Sequence, residues 1–135
     1  MRWPSHLKLY LFALLFTGCG AEGFVPVSGK VTLDNVPLAG ARVSFEPQVT
    51  QGTTRPEGSF GVTDGEGNFS LRRVSDDARG AATGEHIVTL SKNEATNPAD
   101  DAAPVVEHVP EKFRKNPFTV PAGGTDQANF AITTK

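Results

Sequence analysis

Val27-Ser28-Gly29-Lys30-Val31-Thr32-Leu33-Asp34-Asn35-Val36-Pro37-Leu38-Ala39-Gly40-Ala41-Arg42-Val43-Ser44-Phe45 decides the fold. Val27, Val31 and Leu33 share one parity, with Ser28, Lys30 and Thr32 on the other. Successive side chains of a strand point to opposite faces, so this is a half-buried strand. Asp34-Asn35-Val36-Pro37 reads as a turn, because Asx residues tolerate left-handed backbone and Pro37 cannot donate to a ladder. Ala41, Val43 and Phe45 then form a second inward set against outward Arg42, Ser44 and Glu46, and Pro47 closes it.

The same alternation continues outward from this pair. Phe60 and Val62 predict a third short strand. Asp64-Gly65-Glu66-Gly67-Asn68 predicts a tight turn, and Phe69, Leu71 and Arg73 a fourth strand. His86, Val88 and Leu90 predict a fifth, with Glu85, Thr89 and Ser91 opposite. Ile87 breaks that alternation and implies cover on both faces. Phe118 with Val120, and Phe130 with Ile132, bring the count to about seven. Residues 48–57 and 76–83 read as polar loops. Residues 93–104 carry no core residue larger than Ala and read as a mobile loop.

No segment after residue 19 has sustained helical periodicity. With 14 Gly and 10 Pro in 135 residues, many at segment boundaries, short strands joined by turns are favoured over helices. The expected fold is all-β, an antiparallel sandwich of about seven strands. Its expected inward residues are Val31, Leu33, Val43, Phe45, Phe60, Val62, Phe69, Leu71, Val88, Leu90, Phe130 and Ile132.

The first eighteen residues carry a different signal. Arg2 and Lys8 are the only formal positive charges before residue 30, and residues 9–16 form an unbroken apolar run. Those eight residues fall well short of the roughly 20 that span a bilayer. A basic start, a short apolar run and small residues after it are the pattern of a signal peptide. Leu15-Phe16-Thr17-Gly18-Cys19 resembles the bacterial lipobox, although Phe16 stands where Leu is usual. The resemblance implies a diacylglyceryl group on the Cys19 thiol, cleavage by signal peptidase II between Gly18 and Cys19, and a palmitate-type acyl chain on the new amino terminus. Gly20 after the cysteine points to the outer rather than the inner membrane. Residues 1–18 are thus expected to be the signal peptide, 19–26 a tether and 27–135 the domain.

Composition then bounds function. The chain is long enough for one ordinary domain. A net charge of -2 and a pI near 5.9 give no basis for nucleic acid as partner. Losing Arg2 and Lys8 with the signal peptide takes the charge to -4. Trp3 and Tyr10 leave with them, so the mature aromatics are all Phe. This argues against the Trp and Tyr stacking platforms common in sugar binding. The single Cys excludes an intrachain disulfide.

Residues 27–45 resemble the opening of bacterial carboxypeptidase-regulatory-like domains, of the transthyretin-like superfamily. Gly61-Val62-Thr63-Asp64-Gly65-Glu66-Gly67-Asn68-Phe69 resembles their T-D-x-x-G-x-F hairpin. Gly80-Ala81-Ala82-Thr83-Gly84-Glu85-His86-Ile87-Val88-Thr89-Leu90 resembles a later G-x-Y-x-V-x-L/I strand, with His86 where Tyr is usual. Val109-Pro110-Glu111-Lys112-Phe113 is similar to a segment of small secreted lipoproteins. The likeness covers about residues 25–134 and implies a transthyretin-like or immunoglobulin-like sandwich. It also implies an accessory or binding module without a catalytic site or cofactor.

The chemical candidates each meet a simpler account. Asp64, Glu66 and Asn68 alternate like calcium ligands, but Arg72 and Ser75 occupy the ninth and twelfth positions, where an EF-hand needs a ligand and a bidentate Glu. Turn chemistry explains them unaided. His86 and His108 are too few for a zinc site of three or four ligands. His86 has inward parity and reads as a structural residue bonded at its ring; His108 reads as exposed. Transthyretin-like hydrolases end in Tyr-Arg-Gly-Ser, whereas this chain ends Ile132-Thr133-Thr134-Lys135. Asp76-Asp77 and Asp100-Asp101 read as solvated turn charges, and Arg72-Arg73 as one side chain on each strand face. The expected function is an envelope-anchored lipoprotein carrying one non-catalytic binding or structural module. Its expected partners are the membrane, through lipid on Cys19, and an envelope protein or polymer. The alternatives are a carrier of a small ligand in the envelope and a transthyretin-like hydrolase.

Overall fold

Asp34 and Asn35 both have positive φ, 49° and 67°, which is the two-residue hairpin turn that matches strand twist. They join β2 (Ser28–Leu33) to β3 (Val36–Pro37), with Leu33 opposite Val36. The expected turn is therefore present, and Pro37 sits in a two-residue strand beyond it. In this computed structural model the described residues are 23–48 and 56–135. The signal peptide, Cys19, the first part of the tether and residues 49–55 of the first loop lie outside them.

Two main sheets hold the core. The larger contains β4 (Arg42–Pro47), β5 (Ser59–Val62), β7 (Arg72–Arg73), β9 (Gly84–Ser91) and β12 (Lys115–Val120), in the order β12-β9-β4-β5-β7. The smaller is built on β2, which pairs with β3, β6 (Asn68–Ser70) and β13 (Phe130–Ile132). Val43, Phe45, Val88 and Leu90 from the larger sheet meet Val31, Phe69 and Ile132 from the smaller in one buried cluster. The rings of Phe118 and Phe130 lie 5.5 and 6.3 Å from that of Phe45, both edge-on. This is the favoured aromatic geometry. The all-β sandwich is as expected, and Ala41, Val43 and Phe45 are fully buried.

Segment 68–73 changes sheet midway. β6 pairs with β2 and β7 with β5. The change occurs at Leu71, whose N–H donates to Val27 O while its carbonyl accepts from Gly80 N–H. The turn at residues 64–68 is closed by Asp64 N–H donating to Asn68 O, and the chain beyond it pairs first with β2 and then back onto β5. The Asp64 carboxylate accepts the N–H groups of Glu66 and Asn68 at 2.9 and 3.0 Å.

Four expectations are corrected. Phe60 and Val62 face outward, Val62 being 56% exposed, while Ser59 and Gly61 face inward. Small residues are needed there because the chain at Ser70 and at Gly80 passes close to them. A Cβ at Gly61 would stand 2.6 Å from Ser70 O, and the Ser59 hydroxyl donates to Gly80 O at 2.8 Å. Second, β13 runs parallel to β2, with Phe130 opposite Val31 and Ile132 opposite Leu33, so the sandwich is not wholly antiparallel. The connection after β12 crosses to the other sheet and enters from the same end as β2. There Ala128 N–H donates to Ser28 O, and Asn129 Oδ1 accepts from Lys30 N–H.

Third, the tether and the 76–83 loop each contain a strand. β1 (Phe24–Val25) pairs with β8 (Ala81–Ala82), and both alanines are buried. Their short side chains fit beside Val25, but they gave no alternation to read. Fourth, residues 93–104 are not one loop. β10 (Asn93–Ala95) pairs with β11 (Val105–Glu107), and the turn between them is closed by Asn97 and Asp100 side chains accepting N–H groups two residues on. Backbone pairing, rather than apolar burial, carries this hairpin: Val105 and Val106 are 63% and 45% exposed.

Candidate functional site

His86 is the most unusual chemical group of the domain interior. It lies on β9 between Val88 and the positive-φ Gly84, facing the core with only 2% exposure. Its cross-strand neighbours are Pro47 and Phe118, and its ring sits 5.6 Å from that of Phe45. Nδ1 lies 3.0 Å from Gly84 O. A carbonyl only accepts, so Nδ1 carries the proton and Nε2 is left as a bare acceptor. Nε2 is buried without a partner. Burial in this apolar setting pushes the ring below its ordinary pKa of 6.5, against a smaller opposing effect of the Gly84 carbonyl. The expected ring hydrogen bond is present. The neighbours explain the burial: the ring fills the space between Phe45, Pro47 and Phe118.

The remaining candidates are held apart. Asp64, expected at most as a weak ligand beside Glu66 and Asn68, spends its Oδ1 on two backbone N–H groups. Among the described residues no three or more His, Cys, Asp or Glu gather as a metal site. His108 is exposed, with Nε2 3.3 Å from Glu94 Oε2. Asp76 pairs with Arg73 and Asp77 with Arg72. Asp76 is held below the ordinary carboxyl range, first by the Ala78 N–H and then by Arg73. These acids neutralise a turn. Cys19 lies outside the described residues.

Two concavities open on the surface around β2. One, of about 470 Å³, has Lys30, Asp64, Asn68, Asp126 and Asn129 among its walls. The other, of about 260 Å³, is lined by Pro26, Ser28, Ser70, Arg72 and Arg79 among others. Sequence reading missed Arg79, because its relation to Arg72 depends on strand register. The two Asp residues between them were the available signal, since they mark a tight turn that folds the chain back.

No family model matches the chain, and no curated protein does. A solved structure of a 9R-lipoxygenase from Cyanothece PCC8801 is similar over 83% of this chain and 16% of its own length, with 19% identity and a TM-score of 0.39. The chain therefore spans about one sixth of that protein, and a likeness at this level fixes neither fold nor activity.

Proposed function

We propose that the chain is a lipoprotein of the bacterial envelope, anchored through lipid on Cys19. Its sandwich serves as a binding and structural module with no catalysis of its own. The observation that carries the module reading is the filled space between the sheets. Phe45, Phe118 and Phe130 stand ring against ring, with centroids 5.5 to 6.3 Å apart, where a small-ligand carrier needs a cavity. Binding is then left to the surface. The hydrolase alternative needs an imidazole in an open cleft, and His86 is enclosed by Phe45 and the backbone.

The anchor reading rests on residues 2–19 and on the chemistry of the lone thiol. Anchoring by several acyl chains is stable, whereas one chain alone is marginal. The resemblance to carboxypeptidase-regulatory-like domains supports an accessory role, and Gly20 supports the outer membrane. Detergent phase partition of the parent and of Cys19→Ser tests this. The parent enters the detergent phase as a processed chain. Cys19→Ser accumulates as an uncut precursor, or is cut elsewhere and released. A parent recovered in the aqueous phase overturns the anchor. Native mass spectrometry showing a stoichiometric small molecule inside the domain overturns the module reading in favour of the carrier.

A further inference from the structure

Arg72 and Arg79 stand directly opposite each other across an antiparallel bridge. The flanking hydrogen bonds define the kind of pair. Arg73 N–H donates to Ala78 O at 2.8 Å and Gly80 N–H to Leu71 O at 2.9 Å, so the two arginines exchange none. In this non-hydrogen-bonded relation the Cα atoms are about 4.5 Å apart and the side chains are closest. Both side chains therefore project from one face. Like charges so placed repel and weaken the pairing.

The neighbouring acids balance only part of this charge. Asp77 Oδ2 lies 2.9 Å from Arg72 Nη1, and Asp76 is taken by Arg73. Among the described residues the Arg79 side chain has no hydrogen bond or ion pair. Both arginines line the 260 Å³ concavity, with Ser28 and Ser70 beside them. Those serines are themselves cross-strand partners on β2 and β6. Two arginines and two serines thus border one hollow. A guanidinium presents its N–H donors in a fork that matches a tetrahedral oxyanion.

We propose that this hollow is an oxyanion site for a phosphate group, and that its ligand in the envelope is the phosphodiester of an anionic phospholipid. The lipid assignment rests on the anchor proposed above. Pro26, in the wall of the hollow, is seven residues from Cys19, and seven residues span at most about 25 Å. The anchored domain therefore keeps the hollow within reach of the headgroups. The mature charge of -4 opposes an anionic surface overall, so a local pair of arginines would select which side faces it.

The test uses the full chain in dodecylmaltoside micelles, titrated with sodium phosphate at constant ionic strength. Thermal midpoints are compared for the parent, Arg79→Gln and Lys115→Gln. The last removes the same charge from β12, at the opposite edge of the larger sheet. A ligand that binds the native state raises its midpoint. The parent and Lys115→Gln rise and saturate, and Arg79→Gln does not. In chloride alone Arg79→Gln melts no lower than the parent, because the repulsion is gone. No rise in the parent, or an equal rise in Arg79→Gln, overturns the site. In a second arm the micelles contain phosphatidylglycerol or, as control, diacylglycerol. A midpoint rise with the former alone supports the lipid assignment; a response to free phosphate with none to phosphatidylglycerol overturns it. Neither arm depends on lipid at Cys19, whose presence is read separately by mass, so the two readings fail independently.

Discussion

The carboxylate of Asp34 accepts two hydrogen bonds from Thr134, 100 residues later in the chain: from its N–H at 2.9 Å and its hydroxyl at 2.6 Å. The turn that closes β2 to β3 thereby also ties down the end of the chain beyond β13. These bonds hold the Asp34 carboxyl below its ordinary value of 3.8, with Lys135 adding a smaller attraction. A depressed carboxyl supports the fold while ionised, so the clamp is intact above about pH 3.8 and is lost as pH falls through the lower folded value. Asp34→Gly keeps the positive φ but removes the clamp. Amide exchange at Thr134 becomes fast in that variant while exchange at Val31 stays slow. Unchanged protection at Thr134 contradicts the clamp.

His86 makes the opposite half of the pH range informative. Its folded pKa lies below 6.5, so the unfolded chain takes up a proton first as pH falls. Stability from the neutral ring is full above about 6.5 and declines below it, down to the folded value. Leaving a buried acceptor unmatched typically costs about 1–3 kcal/mol. His86→Phe keeps an aromatic ring against Phe45 and removes that acceptor. It should be at least as stable as the parent at neutral pH and lose the decline that begins below 6.5. Denaturant midpoints of both proteins across that window check this. Parallel pH profiles rule out His86 as the source.

The two faces of the larger sheet are separable by substitution. Phe45 is fully buried among aromatic neighbours, and truncating such a residue to Ala costs about 3–5 kcal/mol. Val62 points to solvent, and substitutions at exposed positions usually stay within about 0.5 kcal/mol. Phe45→Ala should nearly unfold the domain, and Val62→Thr should leave the denaturant midpoint in place. A large loss at Val62 would restore the parity expected from sequence.

That parity shows what could be read in the chain and what could not. Val43 and Phe45 alternate with polar neighbours and end at Pro47, so β4 and its inward face follow from residue order alone. His86, Val88 and Leu90 do the same for β9. Around Phe60 the apolar residues point outward because the chain at Ser70 and at Gly80 passes close to Gly61 and Ser59, and the closeness of two backbones leaves no apolar mark. The Phe60 ring is instead covered by the Arg42 guanidinium, 4.5 Å above it. The parallel direction of β13 depends on where the 121–129 connection crosses, which Phe130 and Ile132 do not encode. For the site, the fate of His86 was legible, whereas the Arg72–Arg79 relation required the register.

Gly29 offers a test of that crossing on the smaller sheet. A Cβ there would fall inside the contact distance of the Ala128 carbonyl, and Ala128 is itself fully buried. Overpacking of a closed interior typically costs about 1–3 kcal/mol. Gly29→Ala should lower stability by about that much, while Gly65→Ala, with open space around it, should not. Equal midpoints for the two variants contradict the passage of residues 125–129 along β2.

The measurement closest to the central claim is the intact mass of the mature protein from the envelope fraction. The expected result is an amino terminus at Cys19, 117 residues, and added mass for one diacylglyceryl group and an acyl chain on the new terminus. An amino terminus at any other residue, or an unmodified Cys19 thiol, contradicts it.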